Sequence, residues 1–364
     1  MTSIEWTDAT WNPVVGCSRV SAGCVNCYAE RLVHRGLAPQ HRGLTVMRGG
    51  RPGWTGEVRL VADRITEPLS WRKPRRVFVN SLSDLFHESL PIADIARVFA
   101  VMAHTERHTF QVLTKRTKRM RQILASDLFW TDVDKAHIDL FSGDVGTDED
   151  RDRVANACME GVLPNVWLGT SVEDQETAND RIPYLIEVRA AHLFVSYEPA
   201  LGAVDFDLPR CGTCGEVSDS VADDGATPWC SEHDEECSWG HWLDFDLGDD
   251  NPHRVERAAN GGITWVIVGG ESGPGARPFD LAWARSVIAQ CREAGTKVFV
   301  KQLGADPRGN GFDVKPQRVN TDGSPAESGR VECRLQLRDR KGGDMNEWPA
   351  DIRVREMPTR EKSR

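Results

Sequence analysis

The residues best suited to chemistry are three cysteines near the start of the chain. Cys17, Cys24 and Cys27 stand in a C-x6-C-x2-C spacing, between Trp11-Asn12-Pro13 and the helix-like run from Ala29 to Val33. Two thiolates that close together can share one metal centre, and Gly16 and Gly23 allow the loop to fold back and bring in a third. Three cysteines suit neither a zinc site with four protein ligands nor a disulfide framework. They suit a four-iron cluster with one iron left open to a substrate or cofactor. Two plainer readings stand beside it. Cys24 and Cys27 can form half of a zinc site completed by His34 or His41, and Cys17 can be an ordinary buried thiol.

A second metal signal lies further on. Cys211 and Cys214 form a C-x2-C pair followed by Gly215, with Cys230, His233, Cys237 and His241 downstream. Two ligands from the first pair and two from Cys230, His233 or Cys237 make a tetrahedral, structural zinc site. The surrounding segment, residues 205–257, has few apolar residues and 15 acidic against 3 basic side chains, a net charge of −12. A segment so poor in core needs such a staple to fold. The whole chain carries −10, so the rest is at +2. The acidity belongs to the insert, which can dock a partner protein, and the main body has no strong basic footprint.

The elements that must position the three cysteines show as a rhythm of short apolar runs and helical stretches. Arg76–Val79 ends in Asn80-Ser81-Leu82-Ser83-Asp84, Phe110–Leu113 in Thr114-Lys115-Arg116, and Val166–Leu168 in a run closing on Glu173. Leu193–Val195 leads to Glu198-Pro199, Ile263–Val268 to Gly269-Gly270-Glu271, and Lys297–Val300 to Lys301-Gln302. Val58–Val61 is a weaker strand candidate. Residues 92–106 read as a helix. Apolar strands predict a parallel sheet buried on both faces, and charged residues at successive strand ends predict a site at its carboxyl edge. The expected fold is α/β: a partial, TIM-like barrel with an inserted zinc-ribbon-like subdomain. Residues 1–204 and 258–364 supply its two parts, and 205–257 the insert. An open doubly wound sheet is the alternative. Residues 36–56 read as an irregular loop and 127–153 as an irregular acidic excursion.

No run of about 18 apolar residues predicts a membrane span. The N-terminus lacks the pattern of a signal peptide. Cytoplasmic placement follows, where ten cysteines favour metal binding over disulfides.

The run from Trp11 to Tyr28 resembles a family of phage and prophage proteins known for a three-cysteine motif. Val79–His87, Leu113–Arg116, Gly169–Glu173, Val268–Gly273 and Arg340–Asp344 are similar to later blocks of that family. More broadly the chain looks like radical S-adenosylmethionine enzymes, which combine a partial barrel, an N-terminal cysteine loop with an aromatic residue beside the last cysteine (here Tyr28) and a Gly-Gly-Glu element. It departs from them in two ways. The usual spacing is C-x3-C-x2-C, and Gly269-Gly270-Glu271 comes late, whereas the second-strand position here offers Asn80, Ser81 and Asp84.

The resemblance implies a [4Fe-4S] cluster on Cys17, Cys24 and Cys27, with S-adenosylmethionine on its open iron. The residues that bind S-adenosylmethionine do not carry over; from their places beside the cysteine loop and at the strand ends, Tyr28, Ser81, Asp84, Glu173, Gly269, Gly270 and Glu271 are the candidate cofactor-binding residues, and Glu198, Lys301 and Lys115 the candidate catalytic ones. A nucleic acid or nucleotide is the implied substrate. The stripe Lys115-Arg116-Thr117-Lys118-Arg119-Met120-Arg121 can meet phosphates, or can be a solvated helix face. Two other functions fit the same sequence. One is a metal-stapled nucleic-acid-binding or adaptor protein without catalysis. The other is a divalent-metal nuclease using Asp84, Glu173, Glu198 and Glu271, which leaves the cysteines unexplained.

Overall fold

The computed structural model describes residues 4–36, 38–141, 147–206, 262–309 and 334–359, with the backbone alone of 210–211, 239–240 and 333. Seven strands form one sheet: β1 (Ala9–Trp11), β2 (Arg76–Val79), β3 (Thr109–Thr114), β4 (Val166–Val172), β5 (His192–Tyr197), β6 (Trp265–Gly269) and β7 (Lys297–Gln302). Their order across the sheet is their order in the chain, and every neighbouring pair is parallel. A doubly wound sheet reverses its order at a switch point. Here there is no reversal. Right-handed crossovers that always step the same way put the helices on one face and curl the sheet into a half-barrel.

Alternation along each strand separates the two faces. Val77, Val79, Val112, Leu168, Val195, Val266 and Val300 look outward and share a core with Phe99 and Met102 of α2 (Ile92–His104), Ile182 of α6 (Gln175–Ile186) and Val287 of α7 (Leu281–Glu293). Phe78, Trp167, Phe194, Trp265, Ile267 and Phe299 look inward and pack with Trp6. The Trp6 ring lies 4.7 Å from Phe78 and 6.1 Å from Trp265. All six inward residues fall within the first three positions of their strands, so the aromatic plug fills the amino-terminal half of the trough. The same alternation, continued past the strand ends, turns Asn12, Asn80, Lys115, Glu173, Glu198, Glu271 and Lys301 toward the inner, carboxyl-terminal side.

Three segments differ from the sequence reading. Residues 127–153 are mostly helical: α4 (Asp127–Phe141) buries Phe129, Trp130, Val133, His137 and Phe141, and α5 (Asp148–Glu160) starts with a capping box between Thr147 and Asp150. The acidic residues belong to the outer faces of these helices. Residues 45–54 form a hairpin, Thr45–Arg48 against Arg51–Trp54, turned by Gly49 and Gly50. Within the weak strand candidate, the paired strand is Arg59–Leu60, which joins Val14–Val15 outside the main sheet. The first strand of the barrel is instead Ala9–Trp11.

The C-terminal block folds against β7: Leu303 N donates to Gly342 O at 2.9 Å and Val300 N to Val354 O at 2.8 Å. The expected zinc subdomain, with Cys211, Cys214, Cys230, His233, Cys237 and His241, lies outside the described residues. The exception is the backbone of Arg210–Cys211, paired antiparallel with Trp239–Gly240. No helix among the described residues is long and apolar enough to cross a membrane.

Candidate functional site

The cysteine loop follows β1 and runs across the carboxyl edge of the sheet into α1 (Tyr28–His34). Four strand ends hold it there. After β2, the Ser81 carbonyl accepts from the Tyr28 hydroxyl at 2.6 Å, and Asn12 Oδ1 accepts from Ser81 Oγ and Leu82 N. After β3, Arg116 donates to Ser18 Oγ at 2.7 Å and to Ser18 O at 3.3 Å, with Nη1 standing 3.9 Å from Cys17 Sγ. After β4, Glu173 accepts from Ser21 Oγ at 2.9 Å. After β6, Glu271 accepts from Asn26 Nδ2 at 2.8 Å, while Arg277 binds Glu271 and donates to Ala22 O at 2.9 Å. The loop is therefore a lid on the open half of the trough.

The fit is close enough to need glycine. A Cβ on Gly23 would stand 2.6 Å from Glu173 Cγ, nearer than carbon atoms pack. Gly269 and Gly270 also serve packing. A Cβ on Gly269 would lie 3.2 Å from the Glu198 carboxyl carbon, and one on Gly270 2.9 Å from Phe279 Cβ.

Beneath the lid the charged strand ends are paired. Glu173, wholly buried, faces Lys115 and Arg181, the latter at 3.1 Å. Burial alone would raise its pKa, but Lys115 and Arg181 outweigh it and hold the carboxyl below its ordinary value. Glu198 lies 2.7 Å from Lys301 Nζ and also accepts from Gln302 Nε2. Asp84 accepts from Arg116, Thr114 Oγ1 and Lys115 N. Glu271 is held below its ordinary pKa by Arg277 and Asn26 despite burial. The four carboxylates considered for a divalent ion thus each face a cation of their own.

All three loop cysteines are free and partly buried. Desolvation, then the Asp84 carboxylate, push the Cys17 thiol up to about 12, and Arg116 pulls it back. Cys24 and Cys27 are near enough to raise it further. Burial also raises the Cys27 thiol, against the N–H groups of Glu30 and Ala29. Among the described residues no three His, Cys, Asp or Glu side chains are drawn together as a metal-holding group. Three thiols on one loop are the number and kind of donor that a three-cysteine cluster site needs. The loop as it stands does not gather them to ligating distance.

The structure brings every described candidate to this one edge: Tyr28, Ser81, Asp84, Lys115, Glu173, Glu198, Gly269, Gly270, Glu271 and Lys301. Glu198, Lys301 and Lys115 keep some exposure, and each has a side chain 17–19% accessible. Asp84, Glu173 and Glu271 anchor the lid. The sequence reading did not single out Arg116, Arg181 and Arg277 as anchors, or Asn12 and Asn26. Arg116 follows Lys115 at a charged strand end, which was the available signal. Asn12, Asn26 and Arg277 reach residues far away in sequence, whereas Arg181 acts through Glu173, eight positions before it. In the basic stripe, which runs into α3 (Thr117–Leu124), Arg116 is buried against Asp84 and Glu88, Arg119 donates to the Glu88 and Leu90 carbonyls, Arg121 pairs with Glu187 at 2.6 Å, and Lys118 lies over the Tyr184 ring. Cys158 and Cys291 are core residues.

Residues 1–343 match a family described as "Protein of unknown function (DUF5131)", and the chain belongs to it. No curated protein and no solved structure gave a significant match.

Proposed function

We propose that the chain is an iron–sulfur enzyme of the radical S-adenosylmethionine type, of phage kind, with Cys17, Cys24 and Cys27 holding a [4Fe-4S] cluster. The observation that carries this reading is the placement of three free thiols on one loop that four strand ends of a half-barrel clamp over a charged trough. A cluster held by Cys17, Cys24 and Cys27 would pass one electron from an external reductant to S-adenosylmethionine, splitting a carbon–sulfur bond into methionine and a carbon radical.

The chain's own residues do the rest. Arg116 presents an N–H to the Cys17 sulfur, and Asp84 fixes that guanidinium. Glu173 and Glu271 hold the lid through Ser21 and Asn26. Tyr28 borders the site, anchored through Ser81. The Glu198–Lys301 pair and Lys115 remain partly accessible, which suits them to orient a polar substrate and to hold or pass a proton. The aromatic plug closes the far end of the trough to water. A nucleic acid or nucleotide is the substrate class, Cys211, Cys214 and Cys230 with His233 or Cys237 hold a structural zinc, and the reduced thiols belong to a cytoplasmic protein.

The test is reductive cleavage. Protein reconstituted with iron and sulfide without oxygen is treated with dithionite and S-adenosylmethionine, and methionine release is measured. Release by the wild type and its loss in Cys24→Ala are expected. No release from wild-type protein with a full complement of iron would refute the proposal.

A further inference from the structure

Most arginines around the lid have a carboxylate partner: Arg19 has Glu30, Arg59 has Glu57, Arg116 has Asp84 and Arg277 has Glu271. Arg31 and Arg51 do not have one among the described residues. They nevertheless converge. Arg31 Nη2 lies 3.4 Å from Asn26 O, and Arg51 Nη1 lies 3.2 Å from Asn26 Oδ1. Two guanidinium groups are thus held at one residue between Cys24 and Cys27, with only neutral oxygens to accept from them.

The opposite wall is the turn Gly273-Pro274-Gly275. A Cβ on Gly273 would lie 3.2 Å from both terminal nitrogens of Arg31, and one on Gly275 3.8 Å from Arg51 Nη2. Both glycines have positive φ, +95° and +77°. Their backbone approaches the arginines with no side chain between. Arg51 is exposed, and Tyr28 stands three residues before Arg31 on α1 with 45% of its surface accessible. Residues three apart share a helix face, so Tyr28 and Arg31 lie on one face of α1, from which Arg31 extends toward Arg51 at Asn26.

We infer that Arg31 and Arg51 form a phosphate subsite, and that its ligand is a phosphorylated nucleoside unit, free or within a strand, whose base meets Tyr28. Two forked guanidinium groups match the oxygens and charge of one phosphate, and an aromatic face beside a cationic clamp suits a nucleotide. The anion binding stands without the cluster. That the ligand is a substrate rests on the function proposed above.

The experiment measures binding of inorganic phosphate, a mixture of 5′-mononucleotides and a fluorescein-labelled single-stranded DNA. The proteins are wild type, Arg31→Gln/Arg51→Gln, Arg31→Lys/Arg51→Lys and, as a control on α5, Arg151→Gln. The glutamine pair is expected to weaken binding about tenfold or more and to flatten the dependence of log K on log salt by about 0.7 for the DNA, the share of one phosphate contact. The lysine pair, which keeps the charge but loses the fork, is expected to keep the salt slope with only part of the affinity, and Arg151→Gln to keep both. Tighter binding of mononucleotides, or of DNA, tells the two sources apart. Unchanged binding in the glutamine pair, no binding of any probe by wild type, or a loss explained by a lowered unfolding midpoint that lysine does not rescue, would overturn the inference. Iron content is read on the same samples. Protein that stays iron-free after anaerobic reconstitution and still shows the arginine-dependent binding would sink the cluster and leave this subsite standing.

Discussion

Arg116 stands 3.9 Å from the Cys17 sulfur through the same Nη1 that lies 3.0 Å from Asp84. A residue after β3 thereby ties the first cysteine of the loop to the carboxylate that follows β2. The pair is almost fully buried, with both side chains under a tenth exposed. Removing one partner of such a pair leaves a stranded charge.

Arg116→Met is therefore expected to destabilise the fold by about 3–5 kcal/mol, measured by denaturant unfolding. The double variant Arg116→Met/Asp84→Leu should recover part of that loss, because no buried charge is left unpaired. A double variant as unstable as the sum of the two singles would argue against coupling.

Gly23→Ala tests the closeness of lid and sheet. The added methyl meets Glu173, whose carboxylate is fixed by Lys115 and Arg181 and cannot swing away. A loss of roughly 1–3 kcal/mol is expected, as for overpacking elsewhere, together with faster alkylation of Cys24 by a thiol reagent. Unchanged alkylation would mean that the loop is not seated on Glu173.

Glu173 also sets part of the acid limb of stability. Its folded pKa lies below the ordinary 4.5, so its contribution is fully present above that value and is lost as pH falls through the folded pKa. Glu173→Gln should be less stable than wild type at neutral pH. The gap should narrow below about pH 4. A gap that stays constant from pH 7 into acid would contradict this account.

A second pH effect lies on the outer layer. His104 Nδ1 and His137 Nε2 are 3.2 Å apart, with His104 stacked on Phe141. Burial, then the His104 charge, lower the His137 pKa to about 4. A base with a depressed folded pKa takes its proton more readily in the unfolded chain. Stability from this group is thus present above about pH 6.5 and declines from there toward pH 4. His137→Gln should flatten that decline in unfolding experiments across the window. An unaltered slope would remove His137 from the explanation.

Much of the site was legible because strand ends announce themselves. Apolar runs closing on Lys115, Glu173, Glu198, Glu271 and Lys301 marked one edge, and alternation within the strands explains why those residues turn inward. What was illegible is mostly long-range or short. Ala9–Trp11 has only three residues and no turn signal of its own, so it reads as part of the run into the cysteine loop. In α4 and α5 the acidic outer faces hid the buried run Phe129, Val133, His137 and Phe141, which does keep helical spacing. The lid's anchors, Arg277 to Ala22 or Glu173 to Ser21, join residues more than a hundred positions apart, and no local pattern encodes such pairs.

The central claim is that the three-cysteine loop holds iron. Protein purified without oxygen would be assayed for iron, sulfide and zinc, with an electron paramagnetic resonance spectrum of the reduced sample before and after S-adenosylmethionine. The account predicts about four irons with matching sulfide and about one zinc per chain, iron absent from Cys24→Ala, and a spectrum that changes when S-adenosylmethionine is added. Two zincs and no iron after anaerobic reconstitution would contradict it.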